Sequence, residues 1–139
     1  MSEISLSLRL FGELPPTNDL SALMGTNPSI AIRRGEPVSS RRTQPIDVWI
    51  LDLFETEDSI PESVQVQMLQ AATKLQRIAP ILASLERTTY QADLYLSTIR
   101  WEDQGGFALP MELITAAADA KLAIEVSITV VLDDPKDIE

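Results

Sequence analysis

The sequence predicts an α+β domain: a two-layer sandwich in which about five mixed, mostly antiparallel strands carry three helices on one face of the sheet. Three observations lead there. Ile4, Leu6, Leu8 and Leu10 alternate with Ser5, Ser7 and Arg9, and the same period of two returns at Leu122, Ile124, Val126, Ile128 and Val130. That period marks strands with one buried and one open face. Between them Val64, Met68, Ala71, Leu75, Ile78, Leu82 and Leu85 recur at steps of four and three, which lines them along one side of a long helix. Strands with a single wet face suit a sheet covered by helices on the other side only.

The elements follow in order. Pro15-Pro16 ends the first strand, and a short helix comes next, with Thr17 as N-cap, Leu20, Leu23 and Met24 on its apolar side and Gly25 as its stop. Ser29 to Arg33 reads as a short strand. The stretch RRGEPVSSRRTQP has no apolar periodicity and reads as a loop. Ile46 to Phe54 is apolar on both parities, the pattern of a strand buried on both faces near the middle of a sheet. Ser59, Pro61 and Glu62 form a helix-start signature, so the long helix begins there. Pro80 predicts a kink or a restart within it. Tyr90 to Trp101 alternates again, Pro110 opens a third helix over MELITAAADA, and Leu122 to Val130 is the last strand, with five aliphatic residues on its buried face. Residues 4–33 and 90–130 repeat the order strand, helix, strand, which suggests a diverged duplication of a ferredoxin-like kind.

Residues 1–132 read as one domain and 133–139 as a charged tail. The absence of cysteine removes disulfide and thiol chemistry. With no secretory pattern and no apolar run of membrane-spanning length, the expectation is a cytoplasmic protein without membrane contact. The net charge of −10 is uneven: residues 1–45 hold five basic and four acidic side chains, residues 46–139 six basic and seventeen acidic. Such a field opposes general nucleic-acid binding and suits solubility or a basic partner.

The stretch Gly25-Thr26-Asn27-Pro28-Ser29, then Arg33-Arg34-Gly35-Glu36 and a tryptophan strand at Trp49, resembles the bacterial DUF4279 family, a domain of unknown function. The resemblance covers most of the chain. It implies an alternating first strand, a short helix closing in a Gly-x-x-Pro-Ser/Thr turn and a long helix followed by two strands. Ile32 stands where an aromatic residue would precede the basic pair. The family supplies no catalytic residues to carry over.

Histidine is absent as well as cysteine, which removes the usual general base near neutral pH, the nucleophilic triads and the common zinc ligands. The five glycines are scattered and form neither a phosphate loop nor a dinucleotide fingerprint. The reading is therefore of a protein without cofactor or catalytic residues. Asp52, Glu55, Glu57, Asp58 and Glu62 lack the alternating spacing and glycine of a calcium loop, and acids before a helix are favourable without any metal; no metal site is assigned.

Two surfaces remain. Arg33, Arg34, Arg41 and Arg42 form the one dense basic patch, with the chemistry to hold an anion or to pair with acids of the same chain. On the strand parity opposite the aliphatic one lie Ser5, Ser7, Arg9, Tyr95, Ser97, Ile99, Trp101, Ala123, Ser127 and Thr129, with Trp49 as a further candidate. Small side chains flanking Arg9, Tyr95, Ile99 and Trp101 suit a protein contact, first of all a symmetric homodimer. The expected function is a non-enzymatic protein-binding or assembly module using the open sheet face. Two alternatives stand beside it: a small anion-binding domain or carboxylate-dependent enzyme centred on the arginine loop, and an acidic immunity-type protein that neutralises a basic partner.

Overall fold

The computed structural model describes residues 2–57, 60–100 and 107–131. Eight elements follow one another: β1 (Ser2–Gly12), α1 (Thr17–Met24), β2 (Ile30–Ile32), β3 (Asp47–Thr56), α2 (Pro61–Ser84), β4 (Tyr90–Arg100), α3 (Met111–Asp119) and β5 (Ala123–Val130). The strands form one open, mixed five-stranded sheet in the order β2-β3-β1-β4-β5. All pairs are antiparallel except β4 with β5.

The alternation in β1 works as read. Ile4, Leu6, Leu8 and Leu10 are buried, and one hydrophobic core joins them to Leu20 and Met24 of α1, to Val64, Met68, Ala71, Leu75, Ile78 and Leu82 of α2, and to Leu113, Ala116 and Ala117 of α3. Burying a Leu or Ile side chain stabilises by about 1.5–3 kcal/mol, so this one parity of β1 outweighs any propensity effect in deciding which face the helices cover.

Several local expectations shift. Thr17 is the first helical residue of α1, with Pro16 at the cap, and Leu23 is half exposed. A helix of eight residues offers only two positions, Leu20 and Met24, that point squarely at the sheet. Gly25 closes α1 at φ 70°, as a left-handed stop requires. Ser59 lies outside the described residues, and Ile60 occupies the N-cap of α2. That helix does not restart at Pro80 but runs on to Ser84. Both Pro80 and Gln76, whose carbonyl loses the N–H that a proline lacks, are exposed, so the missing hydrogen bond falls on the solvent side of the helix.

β3 is not buried on both faces. Trp49 and Leu51 pair with Leu10 and Leu8 and share their core side, whereas Val48 and Ile50 pair with Phe11 and Arg9 on the other. The register then slips by one between Leu6 and Ser7: Ser7 meets Asp52 but Leu6 meets Phe54, leaving Leu53 as the extra residue. A bulge swaps faces. The strand reads apolar on both parities because Trp49, Leu51 and Leu53 face the core while Val48 and Ile50 are apolar residues of the open face, and past the bulge Phe54 packs against the core as well.

The interlocking of the strands differs from the duplication read in the sequence. β1 and β2 are parallel with β3 between them, and β3 and β4 are parallel with β1 between them. This pair of split βαβ units, residues 2–32 and 47–100, has the strand order of a ferredoxin-like unit. The unit β4-α3-β5 joins adjacent strands instead, so it is an addition at the sheet edge and not the counterpart of residues 4–33. Its aliphatic face is covered only at the start. Leu122 is buried and Ile124 partly so, but Val126, Ile128 and Val130 are exposed, Ile128 by 62%.

Candidate protein-binding face

The face opposite the core can be assembled row by row from the register. One row runs Ile32, Val48, Phe11, Gln91; the next Ile30, Ile50, Arg9, Asp93, Ala123; the third Asp52, Ser7, Tyr95, Glu125. Farther along lie Ser5, Ser97 and Ser127, then Glu3, Ile99 and Thr129. Ile30 is 47% exposed, and Ile32, Val48, Ile50, Phe11, Tyr95 and Ile99 are half-buried. The result is an aliphatic and aromatic strip over β2, β3 and β1, merging into a small, polar surface over β4 and β5.

Arg9 sits at the boundary and is held rigidly. Its Nε donates to Asp93 Oδ1 at 2.8 Å and its Nη2 to Oδ2 at 2.6 Å, a two-point fork across neighbouring strands. The guanidinium carbon lies 4.0 Å from the centre of the Tyr95 ring and 5.4 Å from that of Phe11, within cation–π range of both. The hydrogen bonds that Arg9 donates to Asp93 raise its pKa above the ordinary value, against the opposing effect of burial. Arg9 thus flattens the face between two rings and spends its charge on its own strand neighbour.

Of the residues singled out from sequence, Arg9, Tyr95 and Ile99 therefore share this face. Trp101 lies outside the described residues. Trp49 does not belong to it: only 1% exposed, it is in the core, because the antiparallel register sets it opposite Leu10. Phe11, Ile30, Val48, Ile50 and Asp93 were missed. Their signal was present in the alternation of β1 and β3, but which parity of β3 lies beside Arg9 depends on the pairing register.

The arginine loop is built differently. Residues 33–46 fold back on themselves, with Gly35 N–H donating to Gln44, Gln44 N–H to Glu36 and Val38 N–H to Arg42. Asp47 ties the base of this excursion to the sheet end. Its buried carboxylate accepts the Leu14 N–H at 3.0 Å and the Arg34 N–H at 2.7 Å. The hydrogen bond from the Arg34 backbone, chiefly, holds its pKa below the ordinary carboxylate value, against burial. Arg33 donates to the carbonyls of Pro15 and Leu14 and lies 3.3 Å from Asp47. Its guanidinium is thereby committed within the chain, while Arg34, Arg41 and Arg42 are exposed.

Two concave places lie away from these arginines. A groove of about 610 Å³ between α2 and α3 is lined by Leu69, Ala72, Gln76, Met111 and Thr115 among others. A smaller hollow of about 370 Å³ brings Lys74 and Arg77 of α2 near Gly25, Thr26 and Asp52. Among the described residues no group of three or more acids converges as a metal site would, and no helix is long and apolar enough to cross a membrane.

Comparison with protein-family models places residues 2–131 under the domain of unknown function DUF4279. The chain belongs to the DUF4279 family. No curated protein and no solved structure matched it. In this DUF4279 chain Gly25 closes α1 with its left-handed backbone.

Proposed function

We propose that this DUF4279 chain is a non-enzymatic binding module whose open sheet face docks a protein partner with an apolar centre and a basic rim. The observation that carries the reading is the uncovered strip of Ile30, Ile50, Phe11 and Tyr95 beside the clamped Arg9. Aromatic, isoleucine and arginine anchors that are already held in place lose little freedom on binding. Charge supports a basic rim. Glu3, Asp52 and Glu125 border the strip, and the whole chain carries −10. The face-to-face homodimer suggested by sequence would bring those acids together, which costs binding energy unless they are paired. A cationic partner gains from them instead, in on-rate above all.

The test is site-specific photocrosslinking in an extract of the source cells. Tyr95→p-benzoylphenylalanine is compared with Val66→p-benzoylphenylalanine, Val66 being an exposed residue of α2. The expected result is a product formed from position 95 and not from position 66, containing a protein of basic isoelectric point and weakening as salt is raised. Equal crosslinking from both positions, or an acidic captured protein, would overturn the reading.

A further inference from the structure

The open face does not use the edge of the sheet at β5, and that edge has its own chemistry. β5 is the last strand in the sheet order, hydrogen-bonded on one side to β4; among the described residues its other side is unpaired. Along its eight residues, the backbone donors and acceptors of every second residue turn away from β4 and invite another strand, and proteins usually blunt such an edge with lysine, proline, a bulge or brevity. β5 has none of these. Residues 122–131 read LAIEVSITVV, with Glu125 as the one charge. By contrast β2, at the opposite edge, has only three residues. The exposed aliphatics lie at the same place: Val126, Ile128 and Val130 on the strand and Val131 just beyond it. Ile114 of α3 is exposed too, on the flank opposite Glu112, which lines the groove against α2.

We propose that a second copy of this chain covers the edge, β5 pairing antiparallel with β5 about a twofold axis perpendicular to the sheet, so that two five-stranded sheets become one. The occupant follows from charge and from self-complementarity. Two chains each carrying −10 repel one another over most approaches, and β5 presents the longest strand edge with so little charge. A twofold perpendicular to the sheet keeps both helix layers on one side and pairs residues of like parity. Centred on Ile128, it sets Ile128 against itself, Val126 against Val130, Ser127 against Thr129 and Glu125 against Val131. Every exposed aliphatic of the strand then meets an aliphatic, and the two glutamates do not face each other. Both open faces stay free on the far side of the joined sheet, so this assembly stands whether or not the face docks a partner.

The chain has no cysteine of its own, which allows a direct test. Ile128→Cys is expected to close a disulfide across the twofold under mild oxidation, since directly opposed residues of antiparallel strands bring their Cα atoms within about 4.5–5.5 Å, inside the range that a disulfide spans. Val66→Cys, exposed on α2, is expected to stay monomeric on a non-reducing gel at the same concentration. Sedimentation equilibrium of the parent should give a dimer. Ile128→Lys, which puts two ammonium groups on the axis, should weaken association by at least tenfold while its circular dichroism stays that of the parent, and Tyr95→Ser should leave association as it is. A monomeric parent at high micromolar concentration, or equal crosslinking of the two cysteine variants, would overturn the proposal. Loss of the dimer in Tyr95→Ser but not in Ile128→Lys would move the interface to the open face.

Discussion

Replacing Asp47 by alanine removes one buried carboxylate that holds three parts of the chain together. Its Oδ2 accepts the buried Leu14 N–H and its Oδ1 the Arg34 N–H. Leaving a buried donor without an acceptor costs about 1–3 kcal/mol; the Leu14 amide belongs in the middle of that range and the half-wetted Arg34 amide at its lower end. Arg33 loses little, because it is over a third exposed and keeps the carbonyls of Pro15 and Leu14. The expected destabilisation is about 3 kcal/mol. With a urea m-value of roughly 1–3 kcal/mol/M, the midpoint should fall by about 1–3 M at unchanged m. Hydrogen exchange should speed up at Leu14, Arg34 and Gly35 ahead of the sheet. The pH dependence has a definite sign. The folded pKa of Asp47 lies below its reference value of 3.8, so its contribution is complete above that value and is lost as pH falls through the lower folded one. The gap between the parent and Asp47→Asn should therefore narrow in acid. A midpoint shift equivalent to less than about 0.5 kcal/mol, the range of an ordinary surface change, would refute the reasoning.

Three other substitutions probe the packing. Thr98 is fully buried and its hydroxyl has no partner, so Thr98→Val should raise stability by about 1 kcal/mol in the same urea assay; a loss would show that the hydroxyl is satisfied. Gly12 has φ 132°, and a Cβ there would lie 2.8 Å from the Thr89 carbonyl oxygen. Gly12→Ala should cost about 2 kcal/mol or more through strain and displacement of Thr89, and an unchanged melting temperature would contradict this. Trp49→Ala should cost about 3–5 kcal/mol, as for a large core aromatic, whereas Tyr95→Ser should stay within about 1 kcal/mol of the parent; a reversed order would put the wrong aromatic on the open face.

Much of the fold was legible because single elements carry complete signals. The period of two in β1 and the steps of four and three in α2 need no partner to be read, and Gly25 announces the end of α1 by its own conformational freedom. The misreadings share a cause. The sequence leaves the side of Trp49 open because the face of β3 is set by its register against β1, and Val48 and Ile50 on the open face make both parities look apolar. The sequence places the aliphatics of β5 under the helices because alternation fixes which residues share a face but not how far a helix extends over it. Asp93 looked like any polar strand residue until it stood opposite Arg9, and Asp47 looked like the start of a strand until Leu14 and Arg34 were found at its oxygens.

The central claim is that the open face binds a protein, and titration calorimetry of the protein captured from position 95 tests it most directly. The parent is compared with Arg9→Ala, Ile50→Ser and, as a control on α2, Val66→Ser. Anchors at the centre of an interface typically cost about 2 kcal/mol or more when truncated, roughly a 30-fold loss of affinity. The account predicts losses of that size for Arg9→Ala and Ile50→Ser, unchanged affinity for Val66→Ser and weaker binding as salt is raised. Equal affinities across all four proteins would contradict it.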